Sequence, residues 1–112
     1  MRFVLLMAET DHYERWPHLS DAERAAVFES FAAFSAAVAE RGAVVAGEGL
    51  AGPSAAVTLR PDGTVTDGPY TETAEQVGGL WIVDLPDRDT AVELARLLPR
   101  SGSVEIRPTT DG

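Results

Sequence analysis

The sequence predicts an α+β domain whose elements run β-α-β-β-α-β, and three observations carry that expectation. Two apolar runs, Phe3 to Ala8 and Leu80 to Val83, have the character of buried strands. Two other stretches, Asp21 to Arg41 and Pro86 to Pro99, repeat apolar residues at helical spacing. Between and after them lie short segments of β-branched residues bounded by Gly and Pro.

The elements follow in order. Phe3 to Ala8 is apolar at both parities, as a central strand should be. Glu9 to Leu19 is polar, contains a Pro and two aromatics, and reads as a loop. Ser20-Asp21-Ala22-Glu23 forms a capping box, which opens a helix running to Arg41 with Gly42 as a left-handed terminator. Its stripe of Val27, Phe31, Phe34 and Val38 reads as packing. Ala43 to Glu48 is the second strand. Ala55 to Arg60 is the third, bent at Pro61-Asp62-Gly63 and resumed through Thr64 to Thr66. Gly79 to Leu85 is the fourth strand, and Pro86-Asp87 opens a second helix with Ala91, Leu94, Ala95 and Leu98 on one face. Ser103 to Arg107 alternates strictly and is the last strand; the four residues after Pro108, 109–112, form a short tail read as mobile.

This order is that of the ferredoxin-like fold, with both helices on one face of an antiparallel sheet. The other face poses a problem. Val4, Leu6, Trp81 and Val83, or their neighbours of opposite parity, must look away from the helices, and a contiguous apolar patch is not left in water. A second copy of the chain is the simplest cover, so the expected assembly is a homodimer.

Composition narrows the function classes. At 112 residues the chain is one domain, 1–108, with an ordinary hydrophobic share of 45%. Eighteen acids against nine bases give a formal charge of −9, which argues against a nucleic-acid or anionic-membrane partner. All nine bases are Arg, which means bidentate anion recognition or, more simply, the codon bias of a GC-rich genome. Without Lys no Schiff base can form, and without Cys there is no thiolate nucleophile or disulfide. The short first apolar run, followed at once by acids, reads as a strand and not an export signal, so a cytoplasmic location is expected.

One segment is specific enough to name a family. Thr66 to Pro86, TDGPYTETAEQVGGLWIVDLP, resembles the DGPF motif of the YCII-related family. So do Ala46-Gly47-Glu48-Gly49-Leu50 and Val104-Glu105-Ile106-Arg107-Pro108, and the similarity runs from Met1 to Pro108. The resemblance implies a dimeric α+β barrel built from two sheets face to face, with a pocket near the last strand. It also implies acid–base chemistry by an Asp and a His in some branches, and genes beside extracytoplasmic-function sigma factors in this one. In those branches the His sits in the first helix. Here that helix has none; the matching position falls near Ser30, and His12 and His18 both precede the helix.

Asp67 is accordingly the first candidate for a catalytic residue. Partly desolvated near Trp81 and Tyr70, its carboxyl would be raised in pKa and fit for proton transfer; the alternative is a carboxylate that caps its own turn. Tyr70, Trp81, Glu48, Glu72, Glu105 and Arg107 are the ligand-binding candidates. Tyr70 and Trp81 would form an apolar wall, Arg107 would hold an anionic group, and Glu48 would pair with Asp67. Glu105 and Arg107 share one face of the last strand, which is either a pocket lining or a solvated edge. Thr73 and Gln76 fit a second capping box. Asp11, His12, Glu14 and His18 match no closed zinc pattern, and Gly78-Gly79 lacks the helix and Lys of a phosphate loop, so neither a metal nor a cofactor is expected. The expected function is that of a small dimeric pocket protein acting by acid–base chemistry on a small organic molecule, or else a non-catalytic ligand-binding accessory module.

Overall fold

The computed structural model describes residues 1–10, 12–70, 75–99 and 101–110. Strand β1 (Arg2–Glu9) leads through a short helix α1 (His12–Arg15) and a 3₁₀ turn at Trp16–His18 into the long helix α2 (Asp21–Arg41). Strand β2 (Ala43–Gly49) follows, then β3 (Val57–Leu59), β4 (Val65–Asp67) and the long β5 (Gln76–Asp84). Helix α3 (Arg88–Ala95) and strand β6 (Ser103–Pro108) complete the chain. The main sheet has the order β2-β5-β1-β6, and every neighbouring pair is antiparallel. The protein is thus α+β with an antiparallel sheet and three helices.

Helix α2 begins where the capping box places it. The Ser20 hydroxyl accepts from the Glu23 amide at 3.1 Å, and the Glu23 carboxylate accepts from the Ser20 amide at 3.0 Å. Its end differs from expectation. Gly42 is extended, at φ −177°, not left-handed. Glycine stands there for room: a Cβ would lie 1.9 Å from the Asp84 carbonyl oxygen. Helix α3 is capped by Asp87, whose carboxylate accepts from the Thr90 amide at 2.8 Å.

Two further elements depart from the sequence reading. The segment read as a loop after the first strand holds α1 and the 3₁₀ turn, with Pro17 inside that turn. The bent third strand is a separate two-stranded hairpin, β3 paired with β4, outside the main sheet. Asp62 accepts from the Thr64 amide and hydroxyl, which makes the Pro-Asp-Gly turn between them. Gln76 opens β5 and so belongs to a strand, not to a capped helix; Thr73 and Glu72 lie outside the described residues.

Register decides what each sheet face carries. Phe3 pairs with Val83, Leu5 with Trp81 and with Ile106, and Met7 with Val104. This face meets the helices: Phe3, Leu5 and Val83 are buried with Phe34 and Val38 of α2 and with Ala91, Leu94, Ala95 and Leu98 from α3 onward. Each fully buried Phe, Leu or Val contributes roughly 1.5–3 kcal/mol. The opposite face aligns Glu48, Leu80, Leu6 and Glu105 in one row, and Ala46, Ile82, Val4 and Arg107 in the next. No element covers it among the described residues. The molecule is therefore a slab of 44 × 41 × 18 Å, one sheet and one helix layer thick. Its radius of gyration of 15.4 Å exceeds the about 13 Å of a compact chain this long.

Four exposed carboxylates report on the caps and turns. Hydrogen bonds lower the pKa of Glu23 (from Ser20), Asp87 (from Thr90), Asp62 (from Thr64) and Asp84 (from Arg2). A depressed folded-state pKa means stability that is complete above the unfolded value, near 4, and is lost as pH falls through the folded one. The melting temperature is accordingly expected to hold steady above about pH 5 and to decline below about pH 4. Asp87→Asn keeps a capping oxygen but cannot titrate, so its decline should be shallower; an identical decline in the variant would show that the α3 cap plays no part.

Candidate functional site

A cavity of about 570 Å³ opens between the helix side of the main sheet and the first half of α2. Its floor is Met7, Trp81 and Val104 from three adjacent strands; its walls are Trp16, Val27, Phe28 and Phe31. Trp81 lies flat over Gly47 of β2, where a Cβ would come within 2.7 Å of the indole, so only glycine lets the ring rest on the edge strand. Phe31 and Phe34 meet the same indole edge-on, with centroids at 5.9 and 4.9 Å. The α2 stripe therefore divides: Phe34 and Val38 pack the core, while Val27 and Phe31 are half-buried along the cavity.

The polar end of the cavity comes from the segment read as a loop. Glu9, the last residue of β1, is only 15% exposed at its side chain. One of its oxygens lies 2.5 Å from His12 Nδ1, and the other accepts from Arg15 Nη2 at 2.5 Å. Because α1 begins at His12, residues 12 and 15 stand about one helical turn apart, and both meet the carboxylate at the end of β1. Tyr13 locks this arrangement to the far side of the sheet, its hydroxyl donating to the Leu50 carbonyl at 2.6 Å. Burial, with the nearby Glu9 charge, raises the Tyr13 pKa and keeps it a donor. Arg24 donates to the carbonyls of Trp16 and Pro17 and lies 5.7 Å from the Trp16 ring, which fixes the 3₁₀ turn against α2.

The expected site residues are not brought together. Trp81 and Glu48 belong to the residues around the cavity; Asp67, Tyr70, Glu105 and Arg107 do not. Asp67 ends β4 on the detached hairpin and is exposed. The bend after it forms as expected: Gly68 has φ +92°, its amide donates to the Ala56 carbonyl, and Thr58 donates to its carbonyl. Tyr70 is 79% exposed and borders a separate hollow of about 500 Å³ with Leu50, Pro69 and Val77. Glu105 and Arg107 pair with each other at 2.5 Å on the uncovered sheet face. Glu48 and Asp67 stand in different sheets, so their expected pairing is not formed within one chain. Ser30, at the position where other branches carry a His, donates to the Ala26 carbonyl of its own helix. Glu72 lies outside the described residues, as does Asp11. No group of three potential metal-ligating side chains occurs among the described residues, and no helix there is long and apolar enough to cross a membrane.

Sequence reasoning missed Glu9 and Arg15 and left His12 unassigned. A signal was present: Glu9, His12 and Arg15 recur at intervals of three, with Trp16 and Leu19 continuing the helical period. Pro17 and the polar composition masked it.

A two-layer α+β protein with an aromatic-walled cavity and a carboxylate–imidazole pair at its end is the class this geometry defines. The chain matches the YCII-related domain over residues 1–111 and belongs to that family. It is also similar to an uncharacterised protein of Rhizobium meliloti (strain 1021), 42% identical over 62 residues, which is 49% of this chain. The match spans 50% of that relative's length.

Proposed function

We propose that the chain binds a small organic molecule in the cavity over Trp81 and moves a proton on it without a cofactor, with Glu9 and His12 as the acid–base pair. The close approach of Glu9 to His12 Nδ1, 2.5 Å at the wall of a cavity of about 570 Å³, carries this reading. With its proton on Nδ1, the atom facing the carboxylate, a neutral imidazole has its lone pair on Nε2. Nε2 is then the atom that takes the substrate proton, with Glu9 opposite it across the ring. Arg15 occupies the second Glu9 oxygen and fixes the carboxylate's orientation. Apolar walls exclude water from the transfer.

The working assembly we propose is a homodimeric ferredoxin-like α+β barrel, active in the cytoplasm, formed by the uncovered faces of two sheets. The 18 Å thickness of the single chain and the apolar centre of that face support it. The cavity is built mainly from the helix side and stays open in such a dimer. Within the family, Asp67-Gly68-Pro69-Tyr70 supports assignment to the DGPF-motif branch. The placement of Asp67 and Tyr70 away from the cavity favours a second reading, a non-catalytic ligand-binding module in a sigma-factor-linked setting.

The probe that separates these is 5-nitrobenzisoxazole, whose ring opens when a base removes its C3 proton, breaking the N–O bond. Turnover is expected above the buffer rate, to fall at least tenfold in His12→Asn and Glu9→Gln, and to persist in Asp67→Asn. Loss in Asp67→Asn alone would return the role to the hairpin. No rate above buffer in any form would leave ligand binding as the function.

A further inference from the structure

The geometry points to an uncharged, flat-ringed molecule as the ligand of this cavity; the assignment rests on the cavity proposed above as the site. Rings line it in an unbroken arc. His12 lies 5.6 Å from Trp16, Trp16 5.9 Å from Phe28, Phe28 6.3 Å from Phe31, and Phe31 5.9 Å from Trp81. Phe28 is 58% exposed although it belongs to this arc, so one ring at the mouth lacks a partner on its outer side. Aromatic walls spaced this way are completed by a planar ring entering edge-on or offset.

Charge then selects among ring-bearing molecules. Among the described residues, Arg15 at the cavity wall is paired with the Glu9 carboxylate, and Arg24 behind Trp16 donates to the carbonyls of Trp16 and Pro17. Arg107, the residue expected to hold an anion, is paired with Glu105 on the other sheet face. Glu9 and Glu23 border the cavity, and the chain carries −9 overall, so an entering carboxylate or phosphate meets repulsion, with no uncommitted guanidinium fork among the described lining residues to receive it. A cation gains little more, because one Glu9 oxygen accepts from Arg15, the other is covered by His12 Nδ1 at 2.5 Å, and the Glu23 carboxylate caps α2. What remains is a polar but uncharged group facing His12, on an apolar ring system.

Three isosteric probes isolate the charge: 2-naphthamide, 2-naphthoate and 2-naphthamidine. Both tryptophans of the chain line this cavity, so their two indole N–H signals in NMR titrations read this site without a label. The amide is expected to shift both signals and to bind at least tenfold more tightly than the carboxylate or the amidine. Phe28→Ala, at the exposed rim of α2, should weaken the amide several-fold with the melting temperature unchanged. Equal or tighter binding of either charged probe would overturn the inference, as would amide binding that leaves both indoles unmoved. His12→Asn separates the two proposals: loss of proton transfer with the amide preference intact keeps the ligand class, whereas a base-competent protein that prefers the carboxylate removes it.

Discussion

Leu6→Asp is expected to convert the proposed dimer into monomers. Leu6 sits at the centre of the uncovered sheet face, between Leu80 of β5 and Glu105 of β6, with Val4 and Ile82 in the adjoining row. In a two-fold face-to-face pairing, each copy presents the same patch, so one substitution enters the interface twice. An unpaired carboxylate buried there costs several kcal/mol at each occurrence. Even about 3 kcal/mol in total weakens association by about a hundredfold. Because the side chain points away from the core, the folded monomer should survive with its helix-side packing intact. Sedimentation equilibrium of both proteins at micromolar concentration reads the result. A native protein that is already monomeric at tens of micromolar would sink the dimer, and with it the barrel.

The second large effect is in the core. Phe34→Ala is expected to cost roughly 3–5 kcal/mol, the range for truncating a fully buried Phe. Phe34 is wholly buried, packed edge-on against Trp81, with Phe3, Leu5, Val38 and Val83 in the same cluster. For a domain of this size each kcal/mol lowers the melting temperature by about 4 °C, so a fall of more than about 10 °C is expected. The loss should also reach the cavity, since Trp81 would keep only Phe31 as a ring support on its helix side. A drop of only a degree or two would show that α2 closes over the gap and that the Trp81 platform is not built on Phe34.

Acid lability, proton transfer from 5-nitrobenzisoxazole and the charge preference of the cavity test other parts of the molecule. Together with these two substitutions they address the caps, the site, the core and the assembly separately.

Much of the fold was legible because its signals are local. The Ser20–Glu23 box, the Asp87 cap and the period of α2 and α3 act within one or two turns of chain, and the structure places them where the sequence does. The strict alternation of β6 likewise reads directly as two faces. The site was legible only in fragments. Trp81 and Glu48 were identified from their segments, but Asp67 and Tyr70 were grouped with them because they are close in sequence. The hairpin of β3 and β4 carries Asp67 out of the main sheet, and nothing in two strands of three residues each says which sheet they will join.

The chain by its residues alone determined the principal strands and the two longer helices, the starts of those helices at Ser20 and Asp87, and the exclusion of thiolate and Schiff-base chemistry. Tertiary structure decided the rest. It set β1 between β5 and β6, which brings Met7, Trp81 and Val104 side by side as a cavity floor. It also turned the segment after Glu9 into a helix that returns His12 and Arg15 to that carboxylate. The reason is physical: capping and periodicity are energies of neighbours along the chain, whereas a site is a meeting of residues from four elements, fixed only when burial of the whole core selects one pairing of strands.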